Sequence, residues 1–319
     1  MRQAAVLDVG CHSALLMVAR RREPKDRQAR SRWVMSRDGK VRLALQETLT
    51  LDGRMSRRGI RSVQRAVASL SGPGHREPAM FAFATSVIRD AANRDEVIGR
   101  VADTTGVRLR LLPGREEARL AYIAARCWLG GVSGPLLVLD IGGGTVEIAY
   151  GEGAEPAQVR SLPLGARTVT RALLSGGALP KKEKLQAVRR HVREALQDRA
   201  PLPVALPGTQ VIASSKTFTQ LAQLAATLEQ PTRAPASLTL PSVSRAARLL
   251  ARTDVEQRGE LPGISPHRAG QSLAGAVIAE ALMEACQATE AQICPWSTRE
   301  GLLLERLGAN RERRSRGTS

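Results

Sequence analysis

An aspartate followed by a glycine-containing turn occurs twice in this sequence. The first copy is the segment at 6–10 (VLDVG), and the second is the segment at 138–142 (VLDIG). Each copy ends an apolar run typical of a buried strand, and another strand-like run follows it. A strand–turn–strand unit that occurs twice predicts two related domains, each carrying one such hairpin.

The second copy is the better suited of the two to bind phosphate. Gly142, Gly143 and Gly144 follow its aspartate, and Thr145 comes next. Because glycine has no Cβ, the N–H groups of this turn can approach a phosphate closely and surround it. Asp140 would repel phosphate, but it can hold Mg²⁺, which bridges to phosphate oxygens. The alternative is a plain tight turn with Asp140 as a turn former, and the duplication of the motif favours the phosphate site.

Strand and helix patterns alternate around these motifs. Apolar spacing predicts helices, of which the clearest are at 56–70, 93–104, 116–128, 181–197, 271–286 and 298–307. Short apolar runs predict strands between them, among others at 4–7, 15–19, 78–84, 107–112, 136–139, 146–150, 211–213 and 292–294. This alternation is typical of an α/β fold. The apolar helix at 271–286 suits either a domain core or the interface of a homodimer.

The length and the charge of the chain limit the classes of function. Its 319 residues are enough for about two domains. Its 48 basic and 30 acidic residues give a formal net charge of +18, and all but six of the basic residues are arginine. Either GC-rich codon usage or a polyanionic partner explains this excess. Only eight aromatic residues are present, which is few for a nucleic-acid stacking platform, so we do not expect a nucleic-acid partner.

Cysteine usage and hydropathy indicate the compartment. The four cysteines are scattered without a CxxC pair, so we expect reduced thiols rather than disulfides. No apolar run approaches the ~20 residues that span a bilayer, and the N-terminus lacks the layout of a signal peptide. We therefore expect a cytoplasmic protein without a membrane partner.

Several segments, in order along the chain, carry a resemblance to a known family. They are DVGCHS at 8–13, ATSVIRDAAN at 84–93, GREEARL at 114–120, DIGGGTVE at 140–147, SLPLGA at 161–166 and ICPWSTREGLLL at 293–304. With these segments the sequence resembles the exopolyphosphatase and guanosine pentaphosphate phosphatase (Ppx/GppA) family in its short, two-domain form. That family belongs to the actin, Hsp70 and sugar-kinase superfamily.

The resemblance implies a fold of two RNase H-like α/β domains with an interdomain cleft. The first domain is expected at 1–118, with residues 297–308 packing back on it, and the second at 119–296. A disordered basic tail is expected at 309–319.

The resemblance also implies a role for each residue of the site. Glu117 matches the general base that activates the attacking water, and Asp140 and Glu147 match catalytic acids that bind Mg²⁺, or Mn²⁺ in its place. Asp8 matches a further metal-binding acid in the first hairpin, and Arg89 matches an arginine that binds phosphate. The other phosphate-binding positions implied are Gly10, Cys11, His12, Ser13, Gly142, Gly143, Gly144 and Thr145, with Ser215 and Lys216 as weaker candidates.

From the residues alone, two of these positions allow a plainer interpretation. Glu117 can be a solvated acid in the first turn of a helix, where the helix dipole favours negative charge. Arg89 can be a surface ion-pair partner of Asp90 or Asp95.

The sequence departs from the family pattern at substrate-binding positions. Cys11 and His12 stand where a hydroxyl residue and an asparagine are usual, and Leu15 stands where arginine or histidine is frequent. Arg167 comes one position before the place of the family's arginine, which is Thr168 here. Since a shift of one residue can point a side chain away from the substrate, the resemblance does not carry this phosphate contact over to Arg167. The catalytic acids are all present, which predicts an active but divergent enzyme.

The predicted function is that of an exopolyphosphatase, a phosphoric anhydride hydrolase that releases the terminal phosphate of inorganic polyphosphate with the help of Mg²⁺. Guanosine pentaphosphate (pppGpp) is the nearest alternative substrate, and a non-catalytic sensor of polyphosphate or nucleotide is an alternative of another class. The segments GREEARL and ATSVIRDAAN argue against a kinase of the same superfamily. A phosphate-chain substrate also fits the net positive charge, since a positive field gathers a polyanion.

Overall fold

The computed structural model describes residues 3–21, 33–72, 80–131, 133–174, 179–198, 201–228 and 237–308. These residues fall into two compact units. Unit 1 contains the described residues up to Leu120 together with those from Thr298 onward, and unit 2 runs from Ala121 to Ser297. The predicted tail at 309–319 lies outside the described residues.

Strands and helices alternate along the described chain. The strands are β1 (Gln3–Val9), β2 (Ser13–Arg21), β3 (Trp33–Arg42), β4 (Met80–Ala84), β5 (Arg110–Leu111), β6 (Leu136–Ile141), β7 (Val146–Gly151), β8 (Gln158–Leu162), β9 (Gln210–Ser214), β10 (Ser237–Thr239) and β11 (Glu290–Ile293). The helices are α1 (Arg57–Leu70), α2 (Ser86–Arg89), α3 (Arg94–Thr105), α4 (Gly114–Trp128), α5 (Ala166–Leu173), α6 (Lys182–Gln197), α7 (Ser215–Leu228), α8 (Leu240–Arg252), α9 (Val255–Arg258), α10 (Ala269–Ala285) and α11 (Thr298–Arg306).

Each unit is built around one β-sheet, and the two sheets have the same strand order apart from one added edge strand. The order is β3-β2-β1-β4-β5 in unit 1 and β8-β7-β6-β9-β11-β10 in unit 2. The first three strands of each unit form an antiparallel meander. The next two strands, β4 and β5 in unit 1 and β9 and β11 in unit 2, continue the sheet in parallel. These sheets and their helices confirm the predicted α/β fold.

Helix α1 shows how the apolar pattern of unit 1 forms its core. Ser56 caps the helix, and its Oγ accepts a hydrogen bond from the Gly59 N–H at 3.4 Å. Ile60, Val63 and Val67 follow at helical spacing and are buried in one cluster with the sheet. An amphipathic helix of this kind is stabilised mainly by such burial.

Helix α10 has a different character, because it is apolar on every side. Nearly all of its residues are buried, and it packs against α5, α6, α8 and α9. A helix without a polar face must be covered all round. The predicted apolar helix at 271–286 therefore belongs to the core of unit 2.

The pleat of the first strand in each sheet sets the direction of its aspartate. In β1, Leu7 and Val9 belong to the cluster that α1 covers, so Asp8 between them points to the opposite face. In β6, Leu139 and Ile141 belong to the core of unit 2, and Asp140 between them likewise points away from it. Each aspartate thus lies at the end of a strand on the face that the main core does not use.

None of the helices formed by the described residues combines the length and the apolar character that crossing a membrane requires.

Candidate active site

A row of four polar residues crosses the sheet of unit 2 where its first hairpin turns. Asp140 on β6 lies opposite Glu147 on β7, and Glu147 lies opposite Ser161 on β8. On the other side of Asp140, Ser214 on β9 occupies the same level. Residues directly opposite on antiparallel strands point to the same face, with Cβ atoms about 4.5–5.5 Å apart. The two predicted catalytic acids are therefore neighbours, with a serine at each end of the row.

Serine hydroxyls hold both acids. Ser214 Oγ donates to Asp140 Oδ2 at 2.8 Å, and Ser297 Oγ donates to the same oxygen at 2.5 Å. Ser161 Oγ donates to Glu147 Oε1 at 2.9 Å. The exposed fractions of Asp140 and Glu147 are 9% and 5%, so both carboxylates are buried. Such hydrogen bonds favour the ionised form of a buried carboxylate and fix its orientation.

The donor set of this row suits Mg²⁺. Two buried carboxylates at this spacing repel each other unless positive charge or a proton compensates them. Mg²⁺ prefers carboxylate oxygens, and it usually takes one or two carboxylates from the protein and completes its shell with water and phosphate oxygens. No cluster of three or more His, Cys, Asp or Glu side chains forms a metal centre in the part of the chain that the structure describes. Asp140 and Glu147 are thus a pair that fits Mg²⁺ bound together with a phosphate.

The glycine turn between β6 and β7 is held by its carbonyl groups. Backbone N–H groups of residues 165–168, where α5 begins, donate to the carbonyl oxygens of Gly142, Gly143 and Gly144 at 3.0–3.2 Å. The N–H of Gly142 closes the hairpin by donating to Thr145 O at 2.9 Å. Within the described chain, the N–H groups of Gly143 and Gly144 donate to no acceptor. Successive amides held in this way form a nest that can bind an anion.

Arg167 lies against this turn. A Cβ added to Gly143 would be 2.1 Å from Nη2 of Arg167 and 2.8 Å from its Cζ. The guanidinium thus occupies the space that a side chain at position 143 would take. The one-residue shift of this arginine from the family position therefore does not direct its charge away from the glycine turn.

Ser215 and Lys216 follow β9 at the start of α7. Ser215 has a φ of 86°, in the left-handed region that non-glycine residues rarely adopt. Strain of this kind is held only where the surrounding structure imposes it, and it is common at ligand sites. The side chain of Lys216 is exposed and makes no hydrogen bond or ion pair with other described residues. The structure thus sets Ser215 directly beside Ser214 of the polar row, and it shows no link between Lys216 and that row.

The corresponding acid of unit 1, Asp8, lies in different surroundings. Its neighbours at the same level of the sheet are Leu15 on β2 and Phe83 on β4. Arg299 Nη1 lies 3.2 Å from Asp8 Oδ2, while Oδ1 is buried and has no hydrogen-bond partner in the described chain. Burial raises the pKa of Asp8, and Arg299 opposes that rise. Asp8 therefore has an oxygen that fits a cation or a water, but an arginine already balances its charge.

The turn of the unit 1 hairpin is held in the same way as the glycine turn. The N–H of Gly10 donates to Ser13 O at 3.0 Å. N–H groups in the segment 43–45 donate to the carbonyl oxygens of Cys11 and His12 at 3.1 and 2.8 Å. Cys11 is buried, and His12 and Ser13 are half-buried at the surface of unit 1. This turn presents a thiol, an imidazole and a hydroxyl instead of glycine amides.

Arg89 and Glu117, the predicted phosphate-binding arginine and the predicted general base, form an ion pair within unit 1. Arg89 Nη1 donates to Glu117 Oε1 and also to Leu112 O at 2.7 Å, and Arg89 Nε pairs with Asp90 Oδ1 at 3.1 Å. Burial alone would lower the pKa of Arg89, but Glu117 and Asp90 outweigh it and the pKa is raised. Glu117 has an exposed fraction of 9%, so it is not the solvated acid of the plainer interpretation.

Four residues that contact the predicted site were missed by the sequence reasoning. They are Ser161, Ser214, Ser297 and Arg299. Three of them lie inside segments that carried the family resemblance, and Ser214 lies next to the predicted Ser215. Hydroxyl and guanidinium groups in the matched segments were the available signal, but for Ser214, Ser297 and Arg299 the acidic partner lies at least 74 positions away in the sequence.

The chain is similar to proteins of a known phosphatase family. The profile of the Ppx/GppA phosphatase family matches residues 25–310. Exopolyphosphatase 1 of Mycobacterium tuberculosis is 36% identical over 310 residues, which are 95% of this chain and 87% of the relative. Exopolyphosphatase 1 of Mycobacterium leprae is 41% identical over 232 residues, which are 72% of this chain and 68% of the relative.

Two crystal structures show the same fold at lower identity. The Ppx/GppA family member of Aquifex aeolicus has a TM-score of 0.77 at 21% identity, covering 96% of this chain and 98% of that one. An exopolyphosphatase from Cytophaga hutchinsonii has a TM-score of 0.79 at 18% identity, covering 97% of this chain and 98% of that one. The resemblance seen in the sequence and the enzyme class that it implies, a phosphoric anhydride hydrolase, are thereby confirmed: the chain belongs to the Ppx/GppA phosphatase family.

Proposed function

We propose that this protein is an exopolyphosphatase that releases orthophosphate from the end of inorganic polyphosphate. The observation that carries the proposal is the hairpin of unit 2, where two buried acids lie at the base of a turn with open glycine amides. Acids that suit Mg²⁺ and amides that suit phosphate, on one hairpin, are what a phosphoanhydride substrate requires. The relatives at 36–41% identity are named exopolyphosphatases, which favours polyphosphate over pppGpp.

Asp140 and Glu147 would hold Mg²⁺ in this proposal. When bound, the ion would neutralise negative charge on the phosphate oxygens and so favour attack on phosphorus. Ser214, Ser297 and Ser161 keep the two carboxylates oriented for this task, because each donates a hydrogen bond to one of them. The N–H groups of the glycine turn bind oxygens of the phosphate group.

Glu117 would act as the general base that takes a proton from the attacking water. Phosphoryl transfer depends on positioning and charge neutralisation more than on covalent chemistry, so one well-placed carboxylate suffices for the proton. Arg89 favours the ionised state of Glu117 by pairing with Oε1. A base must be ionised to accept a proton, and the same arginine supplies positive charge for a phosphate group.

The test is phosphate release from polyphosphate by the purified full chain with Mg²⁺, in wild type and in a matched pair of variants. Glu117→Gln removes the proton acceptor and keeps the shape, so we expect turnover to fall by roughly 10²–10⁴-fold. Glu116→Gln changes the neighbouring residue, which is paired with Arg119 at 2.7 Å, and should retain turnover close to that of wild type.

Each outcome of this experiment has a definite meaning. Equal rates for Glu117→Gln and Glu116→Gln would remove Glu117 from its role. Tight Mg²⁺-dependent binding of polyphosphate by wild type without phosphate release would identify a sensor instead of an enzyme. If a parallel assay gave a higher kcat/KM for pppGpp than for polyphosphate, pppGpp would be the preferred substrate.

A further inference from the structure

The start of helix α5 uses two consecutive side chains for two different purposes. The Oγ1 of Thr168 donates to Gly144 O at 3.1 Å, so this hydroxyl fastens the glycine turn from one side. The guanidinium of Arg167 lies against Gly143, with Nη2 only 2.1 Å from the place that a Cβ would take. Position 168 thus holds the turn, and position 167 brings a positive charge to it.

The backbone of the turn explains why this charge matters. N–H groups of residues 165–168 occupy the carbonyl oxygens of Gly142, Gly143 and Gly144. Because these carbonyl oxygens already accept hydrogen bonds, the N–H groups of Gly143 and Gly144 are the groups of the turn that can bind an anion. A guanidinium against Gly143 adds a positive charge to the turn, and its N–H donors lie in a planar fork that matches phosphate oxygens.

We infer that Arg167 is a substrate-binding residue that sets the affinity of the unit 2 turn for polyphosphate. It binds an oxygen of the phosphate group that the amides of Gly143 and Gly144 hold. This inference rests on the proposed function and deepens it, because it assigns the phosphate contact that the family pattern places at position 168 to a different residue of this chain.

A phosphate-binding guanidinium at position 167 accounts for two features of the sequence, the glycine at 143 and the threonine at 168. Glycine at 143 lets the guanidinium occupy the space that a side chain there would take. The exchange of arginine for threonine at 168 costs no positive charge at the turn, because Arg167 supplies it. The departure from the family pattern is therefore a relocation of the cation rather than its loss.

The experiment compares Arg167→Ala and Arg167→Lys with Arg171→Ala. Arg171 lies one turn further along α5 and is exposed, which makes it a control for the loss of one arginine from the same helix. We expect Arg167→Ala to raise the KM for polyphosphate by about 10- to 100-fold, as for the loss of hydrogen bonds to a charged group. The change in kcat should be smaller. Arg167→Lys should recover only part of the affinity, because lysine offers a point charge without the planar fork.

A binding measurement separates this inference from the proposed function. Calorimetric titration with inorganic tripolyphosphate, carried out in the Glu117→Gln background, reports affinity without turnover. We expect the Kd to rise for Arg167→Ala by the same factor as the KM and to stay at the background value for Arg171→Ala. Thermal melting of each variant confirms that it is folded, and Arg167→Lys keeps most of the side-chain volume should the alanine variant be unstable.

The outcomes are decisive in either direction. If Arg167→Ala and Arg171→Ala give the same KM and the same Kd, Arg167 does not bind substrate. If wild type releases no phosphate, the proposed function fails, but a difference in tripolyphosphate Kd between the two variants still supports Arg167 as a phosphate ligand.

Discussion

In unit 2, Asp140 lies between Ser214 and Glu147 on neighbouring strands, whereas in unit 1 Asp8 lies between Phe83 and Leu15 at the same two places. Asp140 therefore has a second acid beside it, whereas Asp8 has apolar residues at both neighbouring places. The counter-groups differ as well, because serine hydroxyls hold Asp140 and a guanidinium holds Asp8. Two acids together attract a divalent cation more strongly than one acid that is already paired with an arginine.

The turns that follow these aspartates also differ in their side chains, although the same kind of backbone hydrogen bonds holds both turns. In both hairpins the carbonyl oxygens of the turn accept hydrogen bonds from a following backbone segment, 43–45 in unit 1 and 165–168 in unit 2. In unit 1 that segment is followed by Gln46, whose Oε1 accepts from Cys11 Sγ at 3.8 Å. In unit 2 it contributes Arg167, which lies against a glycine.

The two copies of the duplicated hairpin thus share their backbone support, but the side chains around their aspartates and turns have diverged. We propose on this basis that Asp140 and Glu147 are the ligands of Mg²⁺, and that Asp8 serves chiefly to hold Arg299 in unit 1. The sequence motif alone makes Asp8 and Asp140 equivalent candidates. Their neighbours across the sheet, which the motif does not contain, distinguish them.

The largest expected effect comes from exchanging Asp140 for asparagine, with Asp8→Asn as the comparison. Asp140→Asn removes a metal-binding charge, so we expect phosphate release to fall a hundredfold or more, since the ion contributes several kcal/mol to transition-state stabilisation. The Mg²⁺ concentration for half-maximal activity should also rise. Asp8→Asn should leave that concentration within about twofold of wild type, because the Mg²⁺ ligands remain. Titration of activity with Mg²⁺ is the measurement, and an equal shift for both variants would contradict the distinction between the two units.

A smaller effect is expected from the serines that hold Asp140. Ser214→Ala and Ser297→Ala each remove a hydroxyl donor from Asp140 Oδ2, and we expect the affinity for Mg²⁺ to fall by about 10-fold or more, as for other residues that orient a metal ligand. Direct titration with Mn²⁺, followed by its electron paramagnetic resonance signal, measures this without turnover.

A buried serine elsewhere in unit 2 provides the control for the serine variants. Ser272 donates to Ala269 O at 2.7 Å within α10, so Ser272→Ala removes a buried hydroxyl that does not touch the acids. Metal affinity should be unchanged in this variant. If all three alanine variants bound Mn²⁺ equally well, the serines would have only a structural role.

The fold could be predicted from the sequence, and the candidate acids could be named from it, but the groups that distinguish the two aspartates could not. Strand ends, apolar spacing and the repeated motif are local features, and each predicted acid lies within one of them. Ser214 and Asp140 are 74 positions apart, Ser297 and Asp140 are 157 apart, and Arg299 and Asp8 are 291 apart. Which side chains meet over such separations depends on strand register and helix packing, which local patterns do not encode.

The smallest expected effects concern the glycines of the two turns. The three atoms nearest to a Cβ at Gly143 all belong to the end of the Arg167 side chain, so the guanidinium can move aside while the backbone keeps its place. We therefore expect Gly143→Ala to change the melting temperature little and to raise the KM for polyphosphate by about 10-fold, through the displaced hydrogen bonds of Arg167. A Cβ at Gly10 would have its nearest neighbour, Ser13 O, at 3.5 Å, which is an ordinary contact, and its three nearest atoms belong to Ser13, Asp8 and Thr85 rather than to an arginine. Gly10→Ala should consequently raise the KM less than Gly143→Ala does. If Gly143→Ala acted equally strongly in an Arg167→Ala background, its effect would come from the turn itself, and the contrast between the two hairpins would lie in their backbones rather than in the guanidinium of Arg167.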